Sequence, residues 1–309
     1  GIENGFEVYT DNEMFALAVS SDGTVYAGGF FTEVNDDSSY AYLVALNPEN
    51  GSAIETFAPQ LDSVVFALAF SPNEEVLYAS DGNGTIFALN PVNGDKLLTS
   101  PVVADGDIIS LAVSPDGKTL YAGGDFYEFT SYLIDVGEGF IADAETGAVI
   151  GTPYLSTDSH TTVYASISDG NGGWYVGGSF DLVNGEEWNS RIAHILPDGS
   201  VDKSFEPSFE WNTNVKALAL DGEILYVGGD FDSIGSEDRI GLAAINTTNG
   251  SLLSFNPKLN GEVNALELDG KGNLYVGGRF SCVGYDYDVG TCPEGSARNN
   301  LASVSISDG

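Results

Sequence analysis

Residues 224–231 read ILYVGGDF, a β-branched and aromatic run carrying two adjacent glycines. Nearly the same phrase begins at Val25 (VYAGGFF), Leu120 (LYAGGDF), Trp174 (WYVGGSF) and Leu274 (LYVGGRF), with a looser copy, LYASDG, at Leu77. Its tyrosines are Tyr26, Tyr78, Tyr121, Tyr175, Tyr226 and Tyr275, spaced by 52, 43, 54, 51 and 49 positions. A period near 50 is the mark of a propeller or solenoid array.

Around each phrase the chain reads as four short strands. The first is VKALAL or a relative (VFALAF, IISLAV, VNALEL), and an Asp-Gly turn such as SPDGKT leads into the glycine phrase. A loop and a third strand follow (YLVALN, RIAHIL, GLAAIN, LASVSI). Then Asn50-Gly51, Asn93-Gly94, Asp198-Gly199 or Asn249-Gly250 turns the chain into a fourth strand ending near Phe57, Phe205 or Phe255. No stretch has helical period. The expectation is an all-β fold: a single six-bladed β-propeller over residues 1–309, with four antiparallel strands per blade. Glycine weakens a strand unless a neighbour approaches closely, so the paired glycines predict close packing between blades. The aromatics that follow, Phe31, Phe126, Phe180, Phe231 and Phe280, read as plugs between blades.

The ends of the chain continue the repeat. Phe57 lies six positions after Gly51 and ten before Ala67; joining Gly309 to Gly1 gives Phe6 the same two spacings relative to Gly309 and Ala16. Residues 2–10, with Phe6 and Val8, are therefore expected to be the outer strand of the last blade and to close the ring. The same strand exchanged between molecules would build a filament head to tail.

Composition bounds the function. The chain has 46 acidic residues against 10 Lys plus Arg, a formal net charge of −36, which disfavours nucleic acid and anionic membrane surfaces as partners. The apolar fraction of 42 % suffices for a core, and no apolar run approaches the ~18 residues of a membrane span. Cys282 and Cys292 are expected to pair as a local disulfide, which points to an oxidising, extracellular setting. Sequons at Asn50, Asn83, Asn246 and Asn249 would be glycosylation acceptors there.

RIAHILPDGSVDKSFEPSF…VKALALDGEILYVGGDF (191–231) and RIGLAAINTTNGSLLSFNPKLNGEVNALELDGKGNLYVGGRF (239–280) resemble the delta-sixty repeat, a kelch-like propeller family of secreted and cell-surface proteins. The matching features are the Arg opening the third strand, the Asp-Gly or Asn-Gly turn, Ser-Phe-x-Pro and the glycine phrase. The resemblance covers about 175–309 well and 1–60 fairly; the second unit lacks the paired glycines, and the third lacks Ser-Phe-x-Pro. It implies a secreted or cell-surface propeller and brings no shared catalytic residues.

Function on such a scaffold lives in its loops. Those between second and third strands carry Tyr40, Tyr42, Tyr127, Tyr132, Trp188, Tyr285 and Tyr287, which either contact a glycan or protein at the cell surface or pack the loops together. Asp286 and Asp288 in YDYDVG, and Asp36 and Asp37 in NDDSS, are the candidate ligands for Ca²⁺; no other cofactor is implied. His194, in the third-strand run RIAHIL, reads as structural, and His160 as a loop residue. The expectation is a non-enzymatic structural or adhesive module. A self-assembling filament or surface-layer subunit and a carbohydrate-active enzyme using two carboxylates are the alternatives.

Overall fold

The computed structural model describes residues 6–98, 103–129, 137–156, 161–183, 186–187, 190–210, 213–286 and 289–307, and these contain strands and turns with no helix. The chain divides into two compact units: residues 1–152 with 170–172, and residues 153–169 with 173–309. Each unit holds three antiparallel sheets of the repeat among the described residues.

In the first unit the sheets are Met14–Val19, Val25–Gly29 and Leu43–Leu46; Val65–Phe70, Leu77–Asp81 and Ile86–Leu89; and Asp107–Val113, Thr119–Asp125, Gly139–Asp143 and Val149–Gly151. In the second they are Val163–Ser168, Trp174–Gly178 and Ile192–Ile195; Val215–Asp221, Ile224–Gly229 and Leu242–Asn246; and Glu262–Leu268, Asn273–Arg279 and Leu301–Ser305. Each is a simple meander in chain order, as short turns between neighbouring strands require.

Among the described residues only the third sheet forms the expected fourth strand; in four others that strand shrinks to a single bridge: Leu46 with Ala53, Leu89 with Lys96, Ile195 with Val201, and Ile245 with Leu252. In three of the four, Pro59, Pro207 or Pro257 follows the aromatic of this segment and cannot donate to a ladder. The chain leaves the sheet there and seats its aromatic in the core: Phe57 and Phe205 are fully buried.

The glycine phrase does what strand chemistry demands. A Cβ on Gly28 or Gly228 would sit 2.5 Å from a methyl of Val65 or Val263, on the first strand of the following sheet. A Cβ on Gly229 would collide with the carbonyl oxygen of Asn214, beside the bulge at Val215/Ala217. The first glycine thus admits the next sheet and the second admits its own bulged neighbour. The tyrosine before them hooks forward: Tyr26 donates to the Pro91 carbonyl at 2.9 Å and Tyr78 to that of Ala144 at 3.0 Å. Tyr26 also meets Phe57 and Phe70 edge-on, and Tyr226 meets Phe255. The five plug phenylalanines are all buried, and Phe231 shares one cluster with Tyr175 and Ile192 of the preceding sheet.

Residues 1–5 of the expected closing strand lie outside the described residues. Phe6–Tyr9 carry no ladder, and Thr10 makes one bridge to Val34. Phe6 and Val8 pack beside Phe31, Val44 and Leu46, and Glu7 and Val8 crowd Gly51 as Ala58 and Pro59 crowd Gly94. The N-terminal segment therefore occupies the place before the first sheet that Phe57–Pro59 occupies before the second.

Candidate functional site

Three of the loops between second and third strands are held at their starts by a residue that precedes the first strand. Asp11, Asp105 and Asn260 each precede a first strand and reach back to the plug. Oδ1 of Asp11 accepts from the N–H groups of Thr32 and Glu33, that of Asp105 from Tyr127 and Glu128, and that of Asn260 from Ser281 and Cys282. These bonds, with the Thr32 hydroxyl foremost, hold the Asp11 carboxyl below the ordinary carboxylate range. Sequence reading missed this clamp. Its only trace is an Asp or Asn two or three positions ahead of the first strand, with partners about twenty residues downstream.

In the first loop Val34 and Asp37 exchange 3.0 Å backbone bonds while Asn35 and Asp36 turn through positive φ (51° and 65°). Tyr40 and Tyr42 are half-buried: Tyr40 packs in the cluster of Phe31, and Tyr42 in that of Tyr26 and Phe57. Tyr127 is 37 % exposed and Tyr285 half-buried, so of these four tyrosines Tyr127 alone falls in the exposed range. Tyr132, Trp188, Tyr287, Asp288 and His160 lie outside the described residues.

The expected disulfide joins Cys282 and Cys292 across a Cα–Cα distance of 5.8 Å. Its loop docks on the segment before the sixth sheet: Gly284 N–H donates to Pro257 and Tyr285 N–H to Lys258, both at 2.8 Å. Asp286 is exposed and turns on itself, accepting from Gly290 at its carbonyl and from Val289 at its side chain. Asp37 accepts from the Ser39 N–H, which lowers its carboxyl. Among the described residues no three His, Cys, Asp or Glu side chains gather as a cation site would need. The sequon asparagines sit in turns: Asn50, Asn246 and Asn249 accept backbone N–H bonds through Oδ1, and exposed Asn83 lies beside Asp81.

His194 faces two carboxylates, with Nε2 3.1 Å from Asp169 and Nδ1 3.2 Å from Asp202, and it stacks on Tyr175 at 4.4 Å between centroids. Asp169 also caps the turn through Gly173. The cluster ties the third strand to two turns, in keeping with a structural position.

The arginine that opens the third strand takes two forms. Arg191 is buried, donates to the carbonyls of Ser179 and Phe180, and has Asp181 at 3.9 Å; burial lowers its pKa and Asp181 opposes that. Arg239, equally buried, donates to the carbonyls of Asp238 and Leu253, while among the described residues its Nε has no partner and no carboxylate stands within ion-pair distance. It lines a pocket of about 380 Å³ with Ser236, Glu237, Asp238, Lys258 and Asp286, which the hairpin of Ser233–Ile234 with Glu237–Asp238 and the disulfide loop bring together. Asn256 braces the wall, donating to the Asp238 carbonyl and accepting from the Lys258 N–H.

A family model described as a domain of unknown function (DUF5122) β-propeller matches residues 170–205, which supports a β-propeller family. No curated protein matches the chain. Among solved structures, the crystal structure of the computationally designed Ika8 protein is similar at a TM-score of 0.60 and 17 % identity, covering 99 % of this chain and 87 % of that one; the likeness concerns the fold.

Proposed function

We propose that the chain is an extracellular, non-enzymatic β-propeller that presents its second-to-third-strand loops to a protein or glycan partner at the cell surface. The observation behind this reading is that three of those loops are held at their starts, by the Asp11, Asp105 and Asn260 clamps, and the last also by the Cys282–Cys292 disulfide. Rigid loops lose less entropy on binding. The disulfide suits an oxidising compartment. The finer architecture, six blades of the delta-sixty kind closed by residues 2–10, rests on the repeat spacing and on the place Phe6 takes before the first sheet. A glycan array and a pull-down from surface extracts test the binding reading: signals should fall at least tenfold in Tyr127→Ala or Tyr285→Ala. Signals unchanged by both variants would overturn it.

A second reading, an assembly subunit, is favoured by a separate observation. Tyr275 (46 %) and Leu301 (65 %) on the last sheet are exposed, whereas the equivalent Tyr226 and Leu242 of the preceding sheet are each 1 % exposed. Exposed apolar surface of that kind marks an interaction face. Light scattering across a dilution series decides it: polymers lost in Tyr275→Asp support assembly, and a monomer at all concentrations excludes it.

A further inference from the structure

From the pocket at Arg239 and Lys258 we infer a binding site for a carboxylated sugar of the uronic acid class. The inference rests on the glycan form of the proposed function and names its ligand and its place.

Three observations carry it. First, the chain has only 10 Lys plus Arg against 46 acids, yet Arg239 and Lys258 make no ion pair among the described residues. In so acidic a molecule two cations of one pocket that hold no carboxylate at ion-pair distance among the described residues leave a place for an anion. Second, Arg239 is 9 % exposed with Nε unpartnered, whereas Arg191, at the same point of the repeat, has Asp181 as counter-charge. A buried guanidinium without a carboxylate is costly, and an incoming carboxylate removes that cost. Third, the remaining wall is rich in acceptors: Glu237, Asp238, Asp286 and the Ser236 hydroxyl. Acceptors repel a second carboxylate but take hydrogen bonds from hydroxyl groups. One acid group among several hydroxyls is the pattern of a uronate; an acidic peptide, with carboxylates throughout, would meet repulsion on three sides.

The pocket's setting supports recognition. Lys258 is exposed at the mouth, its backbone held in positive φ (53°) by Asn256 and its carbonyl bonded to Tyr285 in the disulfide loop. Its ammonium can swing onto a bound carboxylate, while Arg239 is fixed behind it.

The test is calorimetric titration of the intact protein with oligogalacturonate, with neutral galactose oligomers of equal length as control. The uronate should bind, more weakly as salt rises, and about tenfold or more weakly in Lys258→Gln, whose exposed position leaves folding intact. Arg239→Lys, which keeps the charge and loses the fork, should also weaken binding while circular dichroism confirms the fold. Neutral oligomers binding equally well, or uronate affinity unmoved by Lys258→Gln, would overturn the inference. A neutral glycan whose signal depends on Tyr127 would overturn it while leaving the general loop-binding reading standing; silence on a full array together with no uronate binding would end both.

Discussion

The Ser80 hydroxyl donates a 2.7 Å hydrogen bond to the Ile108 carbonyl and accepts one of 3.1 Å from the Ala67 N–H. Ser80 pairs with Ala67 as Gly28 pairs with Ala16 and Gly228 with Ala217, so it fills the first glycine position of the phrase. A side chain is tolerated there because its oxygen satisfies two backbone groups of a buried seam. Ser80→Ala keeps the volume of a Cβ and leaves both groups wanting. It should cost about 1–3 kcal/mol, read as a shift of the urea midpoint at constant slope.

Gly228→Ala places a methyl against Val263, 2.5 Å from its Cγ1. Overpacking of that kind costs about 1–3 kcal/mol. Gly229→Ala meets a backbone carbonyl that side-chain repacking cannot move, and should lower the melting temperature further. Equal melting temperatures for the two variants would refute this account of the phrase.

His194→Phe keeps a ring on Tyr175 and removes one hydrogen bond from each of Asp169 and Asp202. Bonds to charged partners carry about 1.5–3 kcal/mol each, discounted here for partial exposure. The loss should be about 2–3 kcal/mol in a denaturant titration, with His194→Gln recovering part of it.

Acid should weaken the fold in a defined window. Turn-capping bonds hold the carboxyls of Asp22, Asp143, Asp198 and Asp269 below their ordinary value and that of Asp116 at about 2, the last chiefly through the Lys118 N–H and the Ser114 hydroxyl. A lowered folded-state pKa contributes stability above the unfolded value near ~3.9, and that stability is lost as pH falls through the folded value. Melting temperatures should therefore drop from about pH 4 to about pH 2. Asp116→Asn keeps an acceptor oxygen for the turn and should shed the lowest part of that dependence. Melting temperatures that held steady down to about pH 2 would contradict it.

Cutting the disulfide with Cys282→Ser and Cys292→Ser opens a ten-residue loop, worth about 2–3 kcal/mol by chain entropy. Limited proteolysis should then cleave within residues 283–291 first, while the sheets persist.

The repeat was legible because its marks are local. A tyrosine, two glycines and a phenylalanine within six positions predict the second strands, and Asn-Gly pairs predict the turns that Gly51 and Gly250 make with φ near +70°. Three of the four short fourth strands run into Pro59, Pro207 or Pro257, which cannot extend a ladder whatever alternation precedes them. The site was less legible. Tyr40 and Tyr42 look like exposed loop aromatics, but each finds a core cluster that only the folded chain assembles. Asp105 and Tyr127 are 22 positions apart, and Asp169 and His194 are 25 apart. Nothing local distinguishes Arg191 from Arg239 either; their difference lies in where each guanidinium finds its acceptors.

The hook of Tyr26 on Pro91 and the seat of Val65 over Gly28 have a consequence for ancestry. The second repeat carries both the forward-reaching part, Tyr78 on Ala144, and the surface that receives the one before it, Val65 over Gly28. A copied segment of DNA would therefore bring its own means of attachment at both ends, and lengthening such a chain asks for no new invention. The copies then diverge where attachment is not at stake, in the loops, as Arg239 has diverged from Arg191.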